Sequence, residues 1–311
     1  MEKLFQIGLN MKKFLFFLTL CCALFNNCKA QEQVFFETLP TPVSVEESDN
    51  NLIPRVAWYR WTTKNFTIHS IDKRQGEYLF RDIEKIKSWT LTRWGLPDIN
   101  FTTEARIFCA PDKETMVKLF NLDYCAWEVL KDKNENKINY LWIILDGDPA
   151  EILPAGVTSI ALKEIEVQYD LKFNWWVYRA IPALNNTLPQ IKQKLISIDP
   201  FLKKDSAIFY SKSILETTEE RWNKFSKEHK DLFDQEAMYF CLLARKEFGE
   251  SIFHKTLYNA SDKVAVNILG FSDFSDLDKR FYSYIIFLNE DIRNNKTPDS
   301  YLKVKKPKES R

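Results

Sequence analysis

The chain from Phe66 to Cys109 reads FTIHSIDKRQGEYLFRDIEKIKSWTLTRWGLPDINFTTEARIFC. Phe66 to His69 is a short apolar run typical of a strand, and Asp72 to Trp94 places apolar residues at helical spacing. Gly95 then ends the helix, and Ala105 to Cys109 is apolar enough for a second strand. The segment therefore predicts a strand, a helix and another strand in succession.

The sequence that follows continues this alternation and then changes character. Asp112 to Leu122 predicts a short helix, and Tyr140 to Leu145 predicts a strand. After Pro154 the strand signals almost disappear. Helical patterns take their place at residues 156–170, 173–186, 189–198, 232–248, 250–259 and 272–289. We expect an α+β fold with an N-terminal βαβαβ portion followed by a mainly helical half.

Residues 1–30 have the layout of a secretory signal peptide. Lys12 and Lys13 precede an apolar run from Phe14 to Phe25, and the small residues Cys28 and Ala30 lie just before Gln31. The run of 12 residues is shorter than the roughly 20 that a membrane span needs. We expect cleavage and export to the periplasm or the exterior, with no membrane span in the mature chain. Because cysteines occur in this segment, a lipoprotein is the alternative.

The rest of the chain divides into three parts. Residues 31–55 carry prolines and acidic residues without a sustained period, which is typical of a linker or a leader strand. Residues 56–290 form the predicted domain. Residues 291–311 end in a basic run that includes Lys303, Lys305 and Lys306, and we expect a disordered tail there.

The composition excludes several classes of protein. Lysine and arginine number 44 against 43 aspartates and glutamates, a formal charge of +1, so no broad basic surface points to nucleic acid. With seven glycines, no glycine-rich phosphate loop is expected. Three histidines limit metal chemistry sharply. We therefore expect no cofactor and no nucleic-acid partner.

Three cysteines remain once residues 1–30 are set aside. Cys109 and Cys125 flank a short predicted helix, and an exported protein can oxidise such a pair. A disulfide between them is one interpretation, and plain core packing is the other. Cys241 falls on the apolar face of a predicted helix, so we expect it to be buried and unreactive.

Short stretches spread over residues 57–289 share the pattern of a known family. The residues concerned are Trp61 to Phe66, Ile68, Arg106 to Cys109, Gln235, Ala237, Phe248-Gly249-Glu250, Leu269-Gly270-Phe271, Leu277 and Arg280-Phe281. They resemble the opening strand, the second strand and the two late helices of the peptidase MA-like zinc metallopeptidases, the gluzincin type. This resemblance implies a zincin-like fold.

In such peptidases one helix carries His-Glu-x-x-His, and a later helix with a Trp supplies a Glu as the third zinc ligand. The stretch that resembles the first helix reads Lys163-Glu164-Ile165-Glu166-Val167. Lys163 and Val167 stand at the histidine positions, and Arg179 stands at the third ligand position. A protonated lysine and a valine offer zinc no lone pair. The resemblance therefore implies a degenerate site in which only Glu164, at the general-base position, is kept.

A carboxylate that has lost its metal needs another counter-charge, and Arg179 can supply one. We therefore expect either an ion pair between Arg179 and Glu164 or an ordinary amphipathic helix. In the second case Lys163 and Glu166 face solvent while the apolar residues pack inward, namely Val157, Ile160, Ala161 and Ile165.

Three aromatic residues accompany the degenerate site. Trp175, Trp176 and Tyr178 either line a former substrate groove or belong to the core. We expect an exported, catalytically inactive relative of zinc peptidases that binds an unknown peptide or protein partner. A hydrolase that uses Glu164 with a non-standard or missing metal site is the alternative, and an envelope scaffold is a third possibility.

Overall fold

The computed structural model describes residues 35–38, 57–103, 105–122, 125–131, 138–146, 149–202, 211–258 and 266–302. The expected signal peptide, residues 1–30, and the last nine residues lie outside these ranges. Within them the fold is α+β, with a mixed sheet followed by a helical half, as the sequence predicts.

The sheet of the described residues has six strands, with the bounds β1 Phe35–Thr38, β2 Ala57–Thr62, β3 Phe66–Ser70, β4 Ala105–Ala110, β5 Ala126–Lys131 and β6 Ile138–Asp146. Their order across the sheet is β1-β2-β3-β4-β6-β5. The pairs β3-β4 and β4-β6 are parallel, and the pairs β1-β2, β2-β3 and β5-β6 are antiparallel.

The helices of the described residues begin between the parallel strands and then fill the C-terminal half. Their bounds are α1 Lys73–Thr92, α2 Lys113–Phe120, α3 Pro149–Tyr169, α4 Trp175–Ala183, α5 Leu188–Ile196, α6 Asp199–Leu202, α7 Ser211–Glu216, α8 Glu219–Asn223, α9 Lys227–Phe248, α10 Glu250–Tyr258, α11 Phe274–Arg293 and α12 Asp299–Leu302.

The predicted strand-helix-strand unit is confirmed by β3, α1 and β4. Asp72 caps α1 by accepting a hydrogen bond from the Arg74 amide at 2.8 Å. Beyond the other end, Gly95 takes a left-handed conformation with φ of 64°. Leu79 and Ile83 are fully buried between α1 and the sheet. The helix is therefore defined by its capping residue and by its apolar face.

Helix α3 joins the two halves of the protein. Its first turns pack on the sheet through Leu153, Val157 and Ile160, and its last turns join the helical core through other buried residues, namely Ala161, Leu162 and Ile165. A Cβ atom on Gly156 would lie 3.2 Å from a methyl carbon of Ile143. Glycine thus permits the close approach of α3 to β6.

Helix α9 is the centre of the helical half. Every residue from Leu232 to Arg245 is buried, because α4, α10 and α11 all pack against this helix. The Trp176 ring of α4 meets the Phe240 ring of α9 edge to face, with centroids 5.3 Å apart. Helix α4, which carries Trp175, Tyr178 and Arg179, therefore contacts both α3 and α9.

A buried hydrogen-bond chain ties the end of α1 to α3 and α4. Trp94 Nε1 donates to Asn185 Oδ1 at 2.9 Å, and Asn185 Nδ2 donates to Thr158 Oγ1 at 2.6 Å. All three residues are buried. Because buried polar groups need partners, this chain fixes the relative position of the three helices.

The sequence-based interpretation places the start of the disordered tail too early in the chain. Helix α11 continues to Arg293, and α12 covers Asp299–Leu302. Ile292 and Leu302 are buried against the helical core. These apolar contacts explain the order of residues 291–302, while residues 303–311 lie outside the described ranges. In the part of the chain that the structure describes, no helix has the length and apolar character of a membrane span.

The sequence also missed strand β5. Ala126–Lys131 pairs antiparallel with β6, and β6 lies between β4 and β5. Residues 35–38, inside the expected linker or leader strand, form β1.

Candidate functional site

Glu164 is fully buried and points into the protein. Its Oε1 accepts hydrogen bonds from the Thr102 amide at 2.5 Å, from the Thr102 hydroxyl, and from Gln168 Nε2 at 3.0 Å. Its Oε2 is buried without a partner among the described residues. One oxygen of the carboxylate that the resemblance assigns as general base is therefore engaged by neighbouring donors, and the whole side chain is closed to solvent.

The loop that carries Thr102 is held in place by several contacts. Lys87 Nζ donates to the Ile99 carbonyl at 2.5 Å and to Asp98 Oδ1 at 2.6 Å. Gln168 Nε2 also donates to the Asn100 carbonyl at 2.7 Å. The Lys87 bonds attach the loop to α1, and the Gln168 bond attaches it to the last turn of α3, so the two Thr102 donors are positioned against Glu164.

Lys163 and Val167 lie on the outer side of α3, away from Glu164. The Val167 side chain is exposed, and Lys163 is half-buried. The Lys163 ammonium lies 4.0 Å from the Tyr178 ring centroid and 3.7 Å from Glu166 Oε2. The two ligand-like positions thus share one outward face, and the general-base position faces inward.

Arg179 does not pair with Glu164, so that expected ion pair is wrong. Arg179 Nε donates to Asp234 Oδ1 at 2.7 Å, and its Nη2 donates to Oδ2 at 2.5 Å. Asp234 is buried on α9, and Lys194 Nζ also approaches its Oδ2 at 3.8 Å. The planar guanidinium matches a carboxylate in this two-bond geometry. Asp234 on α9, and not Glu164 on α3, offers Arg179 a carboxylate in that position.

The alternative of an ordinary amphipathic helix is confirmed for the apolar residues. Val157, Ile160, Ala161 and Ile165 are all fully buried. Glu166 is not simply in solvent, because its Oε1 accepts a hydrogen bond from the Phe173 amide at 2.8 Å. Glu166 therefore fixes the turn between α3 and α4.

Aromatic rings and cations form a half-buried surface beside Lys163. The Trp175 ring lies 5.5 Å from the Tyr178 ring and 5.8 Å from the Trp222 ring, between centroids. The Trp222 ring also contacts the Arg179 guanidinium at 4.2 Å and the Lys230 ammonium at 4.6 Å. We call these residues the aromatic-cation surface: Lys163, Trp175, Tyr178, Arg179, Trp222 and Lys230.

Tyr178 stays neutral within this surface. Burial raises its pKa, and the carboxylates of Glu166 and Glu219 raise it further. The Tyr178 hydroxyl itself is buried and has no hydrogen-bond partner among the described residues. The surface therefore offers a partner its ring faces and its cations.

Trp176 does not belong to this surface. Its side chain is fully buried against Phe240, so the interpretation of Trp176 as a groove residue is wrong and the core interpretation is confirmed. Successive residues on a helix point about 100° apart. Trp175 and Trp176 therefore face different environments.

The three histidines lie apart in the fold. His69 is buried on β3 and stacks on the Phe108 ring at 4.9 Å. Burial, then Arg106 and Arg60, lower its pKa to about 3. His229 is on α9 and His254 on α10. Across the residues that the structure describes, no three His, Cys, Asp or Glu side chains come together as a metal site.

Of the two interpretations of Cys109 and Cys125, the disulfide is wrong, because both thiols are free. Cys109 is in register with Leu145 on β6, whereas Cys125 precedes β5 on the far side of β6. Two strand spacings of about 4.8 Å separate the positions, which exceeds the Cα separation of a disulfide. Cys125 Sγ instead donates to Asp146 Oδ1 at 2.8 Å. Cys241 is buried, as expected.

Sequence reasoning missed Thr102, Gln168, Asp234 and Trp222. Gln168 lies four residues after Glu164, a spacing that places both side chains on one helix face, so this contact could have been found. Thr102 and Asp234 are distant in sequence from the groups they bind. No local pattern marks them.

Comparison with protein-family models finds no match for this sequence, and comparison with curated proteins also finds none. The peptidase-like interpretation therefore rests on the residues described above.

Proposed function

We propose that this chain is an exported, zincin-like protein of peptidase MA-like descent that binds a peptide or protein partner without hydrolysing it. The burial of Glu164 carries this proposal. A general base must reach a water molecule beside the substrate, whereas Glu164 is buried and its Oε1 accepts bonds from Thr102 and Gln168, which cover it.

The ligand positions support the same conclusion. Lys163 contacts the Tyr178 ring, and Arg179 is held by Asp234. Both are cations at neutral pH, and a cation repels a divalent metal rather than binding it. Val167 offers no donor atom. The alternative hydrolase would need an exposed carboxylate at position 164, and no geometric feature favours it.

The aromatic-cation surface is the proposed binding site. Half-buried Trp and Tyr side chains provide large contact area, and they are enriched with Arg at the energetic centres of protein interfaces. Lys163 and Arg179 are already oriented by ring and carboxylate contacts. A partner would therefore meet side chains that lose little conformational freedom on binding.

Capture from the exported fraction tests the binding function. The full chain, Trp222→Ala and Tyr78→Ala are each immobilised, with equal folding checked by circular dichroism. Tyr78 is exposed on α1, outside the proposed surface, and serves as a matched control. We expect Trp222→Ala to lose the captured partner and Tyr78→Ala to keep it. Equal capture by all three proteins would contradict the proposed site.

A broad peptidase and hydrolase screen tests the absence of catalysis. We expect no turnover by the full chain. Turnover that disappears only in Glu164→Gln, with Thr102→Val as a control that perturbs the same contact, would establish the hydrolase alternative.

A further inference from the structure

Two buried arginines meet where the C-terminal ends of α1 and α9 come together. Arg93 is 3% exposed and Arg245 is 7% exposed. The Trp94 ring lies against both guanidiniums, with centroid distances of 5.6 Å to Arg93 and 4.6 Å to Arg245. This pair is separate from the aromatic-cation surface.

The nitrogen atoms of this pair are mostly without acceptors. Arg93 Nε, Nη1 and Nη2 are buried and have no hydrogen-bond partner among the described residues. Arg245 Nη1 and Trp89 Nε1 are in the same condition, and the Arg93 guanidinium lies 4.7 Å from the Trp89 ring centroid. The neighbourhood therefore contains a surplus of donors.

The charge of the pair is also only partly offset. Burial and the Arg245 charge lower the pKa of Arg93 to about 10, which leaves it a cation at neutral pH. Arg245 Nη2 donates to Glu250 Oε1 at 2.9 Å, but the Glu250 side chain is 71% exposed. The end of α1 carries about half a negative charge. It does not provide an acceptor to the Arg93 guanidinium.

Buried polar groups in native proteins are almost always satisfied by hydrogen bonds, and a buried cation without an acceptor is especially unfavourable. We propose that Arg93, Arg245 and the Trp89 indole form a binding site for a small oxyanion of the sulfate or phosphate class. The planar guanidinium fork matches paired oxygen atoms. A site made of donors alone selects a fully deprotonated ligand.

The enclosure of the site restricts the size of this ligand. Both arginine side chains are more than nine-tenths buried, so the ligand would have to be a small free ion. Arg245 Nη2 also donates to the Arg93 carbonyl at 2.6 Å. The anion would therefore stabilise the contact between α1 and α9.

Thermal unfolding of the full chain in sulfate tests this site. The titration is made at constant ionic strength in a buffer whose anion is a bulky sulfonate, with phosphate, acetate and chloride as parallel series. The variants are Arg93→Met, Trp89→Phe and the control Arg280→Met. Arg280 is an exposed arginine on α11 that pairs with Glu247.

We expect sulfate to raise the Tm of the wild type and of Arg280→Met saturably, by about 5 °C at one hundred times the Kd. Arg93→Met should show no saturable rise, and without sulfate it should be at least as stable as the wild type, because it removes an uncompensated buried charge. Trp89→Phe keeps the ring and removes one donor, so sulfate affinity should fall about tenfold.

Three results would overturn the site. The first is an equal, unsaturable response of all variants, which is the general effect of sulfate on proteins. The second is an equal response to chloride, which would exclude oxyanion recognition. The third result combines two observations. Trp89→Phe binds sulfate with the affinity of the wild type, and Arg93→Met is unfolded in every buffer.

Discussion

Arg179 and Asp234 form a two-bond ion pair between α4 and α9, with Nε to Oδ1 at 2.7 Å and Nη2 to Oδ2 at 2.5 Å. Asp234 is buried, whereas the Arg179 side chain is 29% exposed. Arg179 is thus a structural link between two helices.

This link predicts a strongly coupled pair of mutations. Asp234→Asn and Arg179→Met should each lower the free energy of unfolding by about 2 kcal/mol, below the full cost for a buried pair because Arg179 is partly in solvent. The double variant should lose little more than either single variant. Urea unfolding of the four proteins measures the coupling. The control is Arg280→Met, which breaks an exposed pair with Glu247 and should change the free energy of unfolding by about 0.5 kcal/mol or less. Additive losses from Asp234→Asn and Arg179→Met would disprove the link.

We expect a different pattern of stability changes at Glu164, because its carboxylate has a structural role. Glu164→Gln keeps an acceptor for the Thr102 donors and removes a buried charge, so its stability should stay within about 1 kcal/mol of the wild type. Glu164→Ala leaves those donors without an acceptor and should cost about 3 kcal/mol. Chemical denaturation gives both values. A stable Glu164→Ala protein would mean that the carboxylate does not hold the loop of Thr102.

The geometry of Glu164 shows what sequence patterns can and cannot predict. The apolar periodicity from Asp72 to Trp94 and the stop at Gly95 are local, and they predicted α1 correctly. The choice of Thr102 as the partner of Glu164 is not local, since 62 residues separate them. Only the course of the loop after α1 reveals it.

Strand β5 illustrates the same limit. Its six residues, AWEVLK, are few and include two charges, so the apolar alternation is weak. Pairing with β6 fixes the strand in the folded protein. That position of β6 between β4 and β5 also explains why Cys109 and Cys125 do not meet. The two cysteines are close in sequence but not in the folded protein.

The free thiols predict the behaviour of the cysteines. Burial, and the hydrogen bond to Asp146, raise the pKa of Cys125 to about 12, and burial raises the pKa of Cys109 and Cys241. Because the thiolate is the reactive form, native protein should react slowly with iodoacetamide at pH 8. After unfolding without reductant, all three should be labelled. Mass spectrometry of tryptic peptides makes the measurement, and a Cys109-Cys125 cross-linked peptide would refute the strand order described above.

His69 predicts a pH dependence of stability. Its pKa is about 3 when folded, lowered by burial and by Arg106 and Arg60, against an ordinary value near 6.5 in the unfolded chain. The unfolded chain therefore binds a proton first as the pH falls below about 6.5, and stability decreases until the folded pKa is reached. Between pH 7 and pH 5 this histidine should account for about 2 kcal/mol.

His69→Phe keeps the ring that stacks on Phe108 and removes the titrating group. Its stability should depend less on pH over that interval than the stability of the wild type. His229→Asn, at an exposed position on α9, is the control and should titrate like the wild type. Parallel curves for wild type and His69→Phe would show that His69 does not titrate in this way.

Zinc content separates a degenerate site from a working one. The purified full chain is incubated with zinc, dialysed against buffer without chelator and analysed by inductively coupled plasma mass spectrometry. The proposal assigns Lys163, Val167 and Arg179 to the ligand positions, and Arg179 is held by Asp234. We therefore expect zinc well below one atom per chain, equally in wild type and in Arg179→Met. One tightly bound zinc atom per chain would contradict the proposal.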